Sequence, residues 1–316
     1  MGLKETFKGA FKNYSGWAQL LILVGMFLLG TIIFSFIATI IIFIQIIATS
    51  GLSADILDLI YSDPTYMREL QFIAGIGQFL VPTLACAYFF SDDYKAYLSL
   101  DTHSSYKVYI LTFFVAIVFL PISNFTGMLN QQMALPEWLS GLEEWMRASE
   151  AAAAEATEML LTGKSIWTLL ANLLLIAVLA GVGEEFFFRG VGQNIVGKLF
   201  KNHHVVIWVV AIIFSAIHMQ FYGFLPRMLL GAYFGYLLYY TKNMWLPVLA
   251  HFTNNAFIVI FYYFYQDSTE ELEQMDAIGW GDTWWVAVAA AALFVFLFSL
   301  IVKQTTTSPN PSQGGE

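Results

Sequence analysis

Long continuous apolar runs, separated by short polar stretches, set the pattern of this chain. A helix needs roughly 20 apolar residues to cross a bilayer core of about 30 Å. Eight runs approach or exceed that length, over approximately 17–47, 70–90, 107–127, 166–199, 204–219, 222–240, 245–265 and 283–302. The fifth and sixth are the shortest and most closely joined. The runs are unbroken rather than alternating, which predicts helices and argues against a transmembrane barrel. The expected fold is therefore an all-α polytopic transmembrane bundle of about eight spans, with its site inside the bundle. The longest polar connector runs from Met128 to Lys164. Within it, Glu143 to Leu161 is rich in Ala, Glu and Met and predicts a helix on the outer face, read as a solvated connector rather than a substrate lid. No internal repeat is visible.

Composition strengthens this reading. Of the 316 residues 58% are hydrophobic and only 12% charged, against roughly 45–50% and about 25% in soluble domains. A net charge of −9 and the absence of a basic stripe exclude nucleic acid as a partner. Cys86 is the single cysteine, so no intramolecular disulfide and no cysteine-based zinc site can form. The first apolar run is too long for a signal-peptide core and is read as a retained span.

Lysine and arginine orient the spans. With the N-terminus cytoplasmic, ten fall on or toward the inside: Lys4, Lys8, Lys12, Lys95, Lys107, Arg189, Lys198, Lys201, Lys242 and Lys303. Four fall toward the outside: Arg68, Arg147, Lys164 and Arg227. Both termini are then cytoplasmic. The compact loops suit a bacterial inner membrane. The chain divides into a variable transmembrane region with the outer-face helix (1–164), a catalytic core (165–265), a last span (266–303) and a disordered tail (304–316).

Ionisable residues inside apolar spans are costly and mark functional sites. The first cluster is Gly183-Glu184-Glu185-Phe186-Phe187-Phe188-Arg189. Glu185 lies four residues before Arg189, the spacing of an intrahelical ion pair, which leaves Glu184 free to act as a general base. The second cluster ends in His218. A helical hairpin turning near Lys201 places Glu184 and His218 at similar depth, on the order of 25 Å from the turn at 1.5 Å per residue. That hairpin led us to expect a site opening toward the cytoplasmic half. The third cluster is His251-Phe252-Thr253-Asn254-Asn255, where His251 and Asn255 share one helix face and Asn254 points elsewhere, toward helix packing. Together these residues suit peptide hydrolysis. Glu184 and His218 would hold and deprotonate a water, and His251 and Asn255 would stabilise the tetrahedral oxyanion.

The ordered motifs Glu184-Glu185-x-x-x-Arg189, Phe214-x-x-x-His218 and His251-x-x-x-Asn255 resemble those of the CPBP intramembrane proteases. These are relatives of the type II CAAX prenyl endopeptidases and of bacteriocin-processing and self-immunity proteins. Phe188-Arg189-Gly190, Leu230-Gly231, Gly235-Tyr236 and Trp245-Leu246-Pro247 add to the resemblance, which covers about residues 165–265. It implies Glu184 as base, His218 as its partner, His251 and Asn255 as oxyanion donors, and Glu185 and Arg189 in support. It also raises the metalloprotease class, with Glu184, His218 and His251 as a possible zinc set. The HExxH zinc pattern is absent, so a metal-independent water is the first expectation. The expected substrate is a peptide or membrane protein in the bilayer, prenylated or not. Two competing classes are a non-catalytic immunity or scaffold protein of the same fold, and a transporter. The absence of an inverted repeat disfavours the transporter.

Overall fold

The structure, a computed structural model, describes residues 7–51 and 56–307. Among the described residues every regular element is helical. The first is α1 (Gly16–Ser50), opened by Ser15, whose hydroxyl accepts from the Ala18 amide. After the short α2 (Ile56–Ser62) comes α3 (Pro64–Phe90), started by Asp63 accepting from the Thr65 amide and by Pro64 in its first turn. Such caps satisfy amides that have no partner within the helix. Then follow α4 (Tyr106–Gln131), α5 (Ser140–Leu161) and the 34-residue α6 (Ile166–Leu199). A break at Phe200–Asn202 leads into α7 (His203–Ala216), capped by Asn202. The remaining helices are α8 (Phe224–Thr241), α9 (Trp245–Tyr265), α10 (Thr269–Ala277) and α11 (Trp284–Thr307).

Among the described residues six helices are long and apolar enough to cross a membrane: α1, α3, α4, α6, α9 and α11. The other two expected spans exist as helices but fall short of that standard. α7 has only 14 residues, about 21 Å of helix. α8 has 18, with Arg227 in its first turn and polar residues beyond it. These two pack along each other within the bundle. Of the about eight spans expected, six therefore meet the standard of length and apolar composition. The outward faces fit lipid: α1 exposes Leu21, Leu28, Leu29, Ile32 and Phe36, and α11 exposes Val288, Val295 and Phe296. Apolar faces this large are untenable in water, and the chain is an integral membrane protein by this criterion.

Small residues let the helices approach closely. At the α1–α3 crossing, a Cβ on Gly30 would meet the Gly77 carbonyl oxygen at 2.0 Å. α9 packs against α4 and α6, and α11 packs along α4. One apolar cluster gathers Phe187, Phe188, Phe214 and Val248 around α6, and a second gathers Phe119, Tyr233, Phe234 and Ile301 between α4, α8 and α11.

The two ends of the bundle differ. At one end, the Lys198 ammonium donates to the Lys12 carbonyl at 3.1 Å, Lys12 pairs with Asp92, and Asn243 donates to Ser104 and Tyr109. Lys8, Lys95, Lys107, Lys201 and Lys242 belong to the same end by their place in the chain, and α11 finishes there, with Ile301 packed beside Val108. At the other end lie α5, α10 and the Lys164–Asp267 pair. Two expectations change. Gln304–Thr307, expected to begin the disordered tail, form the last turn of α11, while 308–316 lie outside the described residues, as does Lys4. Arg189, counted among the orienting cations, is 1% exposed inside the bundle.

Candidate active site

The site is built around α6. This helix is interrupted by two wider π-type segments, Leu173–Leu179 and Phe186–Gly192, with Ala180–Glu185 regular between them. Such segments alter the backbone pairing and re-aim side chains, and they recur at functional sites. Glu184 and Glu185 sit at the junction. Close contact with α9 is possible because Gly181 has no side chain: a Cβ there would come within 3.3 Å of the Phe252 amide nitrogen.

Glu185 is fully buried and serves two cations or donors with one oxygen. Its Oε1 accepts from Arg189 Nη1 at 2.9 Å and lies 2.8 Å from His251 Nδ1. The sequence led us to expect only the intrahelical pair; the bond across to α9 is new. Arg189 also donates from Nη2 to the Gly231 carbonyl at 3.0 Å. Its guanidinium lies over the rings of Phe214 (4.4 Å) and Phe234 (5.3 Å), which supply favourable cation–π contacts. Gly231 is required here, since a Cβ would meet Phe214 at 3.0 Å and Arg189 Nη2 at 3.2 Å.

The imidazole of His251 is consequently fixed. Phe234 stacks on it at 5.1 Å and Phe214 approaches edge-on at 6.2 Å. A carboxylate ion-paired to arginine only accepts, so His251 donates from Nδ1 to Glu185. That leaves Nε2 directed toward Glu184, 4.0 Å from its Oε2. Two adjacent carboxylates thus flank one ring, one at each nitrogen.

Glu184, His218 and Asn255 line two cavities at once. The first has a volume of about 380 Å³ and is walled by α3, α5, α6 and α9. The second, about 270 Å³, also takes in His251, Asn254 and Arg227. The three shared residues therefore stand at the partition. His218 lies in the turn after α7, not within a span as its apolar surroundings suggested. Its Nδ1 donates to the Phe214 carbonyl at 2.7 Å, which leaves Nε2 free. Asn255 donates to the Ile176 carbonyl at 2.8 Å, inside the first π-type segment, and accepts from Asn254 at 3.1 Å. One Asn255 N–H remains for a ligand. Asn254, expected to point away into packing, in fact lines the second cavity and orients Asn255.

The cavities lie on the α5 side of Glu184, which itself sits near the middle of α6, about 22 Å from the hairpin turn. α5 supplies Thr157 and Leu160 to the first cavity, so it does more than connect spans. It also clips the loop bearing His218: Glu150 accepts from the Tyr222 amide at 3.0 Å, and Trp145 packs on Phe221. Sequence reasoning missed Gln71, Gln78, Thr157 and Arg227 as lining residues. For Gln71 and Gln78 a signal existed, since two amides seven residues apart share a face of an apolar helix.

Among the described residues no group of three or more His, Cys, Asp or Glu side chains is placed to hold a metal ion. In the set Glu184, His218 and His251, both imidazoles have Nδ1 at a hydrogen-bond partner and keep Nε2 available, the arrangement a metal-ligating histidine takes, while His251 Nε2 and Glu184 Oε2 stand 4.0 Å apart.

This constellation lies on α6 to α9, the stretch that the sequence motifs mark. Residues 166–257 match the family model described as type II CAAX prenyl endopeptidase Rce1-like. The match covers less than a third of the chain. It includes Glu184, Glu185, Arg189, His218, His251 and Asn255, so the resemblance read from the motifs holds for the segment that carries them. The Rce1-like segment comprises α6 to α8 and most of α9, while the cavity walls from α3, α4 and α5 lie outside it. No curated protein and no solved structure matches the chain.

Proposed function

We propose that this protein is an intramembrane endopeptidase that hydrolyses peptide bonds with a water activated by Glu184. The observation that supports this most is the shared position of Glu184, His218 and Asn255 at the partition of two cavities, with His251 Nε2 facing Glu184. Glu184 takes the proton of the attacking water, and His218, whose Nε2 is free, orients that water. The oxyanion is stabilised by His251 and by the remaining Asn255 N–H. Since Nδ1 of His251 carries the proton donated to Glu185, its Nε2 donates only as the imidazolium.

No step in this scheme passes through a metal. The substrate is a peptide segment or membrane protein that reaches the cavities from the bilayer or from the α5 side. A prenyl group is not required by the geometry. With the lysine-rich end cytoplasmic, as the positive-inside tendency favours, both termini face the cytoplasm of a bacterial inner membrane and the cavities lie toward the outer leaflet.

The test is cleavage of a quenched-fluorescence peptide panel by detergent-purified wild type and Glu184→Gln, each with and without a zinc chelator. The expected result is cleavage by wild type, survival of that cleavage under chelation, and its loss in Glu184→Gln. Glutamate-independent cleavage overturns Glu184 as base. Loss on chelation with recovery on adding zinc overturns the metal-free scheme. Binding of panel peptides without any cleavage supports a scaffold or immunity role instead.

A further inference from the structure

The oxyanion donors named so far are few. Asn255 commits one N–H to Ile176. His251 commits Nδ1 to Glu185, and its second donor depends on protonation. Glu184, meanwhile, brings a negative charge to this cavity, and that charge passes to the oxyanion when Glu184 takes the water's proton. A permanent cation facing that space is needed for the developing charge to be stabilised at any pH.

Arg227 meets this need. It stands in the first turn of α8 and lines the second cavity with Glu184, His218, His251 and Asn255. Its Nη2 is fixed by donation to Gln220 Oε1 at 2.5 Å, while its Nη1 is buried with no hydrogen-bond partner. A buried guanidinium N–H without a partner is costly and calls for an explanation. The charged groups around it are Glu184 in the cavity and Glu150 on α5, with His218 nearby. Glu150 is itself committed to the Tyr222 amide. The fork is thus held at one nitrogen and unpartnered at the other, in a side chain that lines the cavity of the residues assigned to the reaction.

Resting on the peptidase reading above, we infer that Arg227 is a further catalytic residue, whose Nη1 donates to the tetrahedral oxyanion alongside Asn255. The guanidinium stays charged, so no proton leaves it in the cycle; it neutralises the oxyanion as water adds to the carbonyl and releases it when the C–N bond breaks and the amine departs with the proton that Glu184 took from the water. Bound substrate supplies the acceptor that Nη1 lacks.

The assignment is tested with wild type, Arg227→Gln, Arg227→Lys and Glu184→Gln on one cleavable peptide made in two forms, with a free and with an amidated C-terminus. Expected for Arg227→Gln is a kcat lower by roughly 10²–10³-fold, as for loss of an oxyanion donor, with KM little changed and the same loss on both peptides. Arg227→Lys keeps the charge without the fork and should retain more activity than Arg227→Gln. If Arg227→Gln does not purify folded, Arg227→Lys decides: an unchanged kcat overturns the assignment. A loss confined to KM, or to the peptide with a free carboxylate, also overturns it and makes Arg227 an anchor for the substrate's terminus. Wild-type cleavage that disappears in Glu184→Gln but persists in Arg227→Gln overturns this assignment alone. Wild type no faster than Glu184→Gln overturns the peptidase reading and this inference with it.

Discussion

Replacing Glu185 by glutamine tests how the site is held together. The change keeps the side chain's shape and removes its charge. Arg189, 1% exposed, then loses its only carboxylate partner. Breaking a buried pair by removing one member costs about 3–5 kcal/mol, because the other charge stays buried and uncompensated. The Gly231 carbonyl and the Phe214 and Phe234 faces remain, so the lower part of that range is expected. This corresponds to a melting temperature lower by on the order of 10 °C. Unfolding can be followed with a thiol-reactive fluorophore, since Cys86 is the single cysteine and is fully buried. The double variant Glu185→Gln with Arg189→Met removes both charges and should recover most of the lost stability. Peptide cleavage should not recover, because His251 still lacks the carboxylate at Nδ1. A single variant that melts like wild type refutes the ion-pair argument. A double variant that regains full activity refutes the role given to the Glu185–His251 bond.

Three further outcomes are expected. Asn255→Ala should lower kcat by roughly 10²–10³-fold with a smaller change in KM; an unaltered rate in a folded protein removes Asn255 from the oxyanion site. Arg68→Ala should free the C-terminal end of α5, because Arg68 donates to the Leu160 and Thr162 carbonyls and to Asn172. Each such charged bond contributes about 1.5–3 kcal/mol, and hydrogen exchange in 150–162 should rise while that of α9 stays fixed; exchange rising equally everywhere would indicate global unfolding instead. The third concerns pH at the start of α5. Arg147 and the Leu135 amide, both bonded to Glu143, hold its carboxyl below the usual carboxylate range. A depressed folded value means the stabilisation is present above the unfolded value and disappears as pH falls through the folded one. Hydrogen exchange at 135–147 should therefore rise only in acid, and Glu143→Gln should abolish that acid step.

Much of the bundle was legible because membrane spans are written as uninterrupted apolar runs. α1, α3, α4, α6, α9 and α11 each carry such a run, and a helix that must satisfy its own backbone in lipid leaves little else to choose. α7 and α8 were harder. Their apolar content reflects burial against each other and the rest of the bundle as well as lipid, and hydropathy does not separate those causes. The site was legible where charge is unexpected in apolar context, at Glu184, Glu185, Arg189 and His251. It was opaque wherever a contact joins distant segments. Nothing in the spacing of 185 and 251 says that the two side chains meet, or that Asn254 turns back onto its neighbour. Arg227 was counted only as a cation toward the outside, and nothing in its spacing places it beside Glu184 and His251 in one cavity.

The placement of the cavities bears on how a hydrolase obtains water within lipid. Water must reach Glu184, and bulk water should not flood the bundle. On the lysine-rich side of the glutamates, Phe186, Phe187, Phe188 and Val191 are buried in one apolar cluster. The α5 side offers a path for water, with Gln71, Gln78 and Thr157 presenting hydrogen-bonding groups along the first cavity. A polar wall of this kind lowers the cost of hydrating a pocket at membrane depth. Of the missed residues, Gln71, Gln78 and Thr157 come from α3 and α5, outside the Rce1-like segment. The motif residues carry the proposed chemistry, whereas the path for water, and the surface a substrate would meet first, are built by the front half of the chain. Substrate preference should therefore follow substitutions at Gln71, Gln78 and Thr157, while the chemical step follows Glu184 and His251.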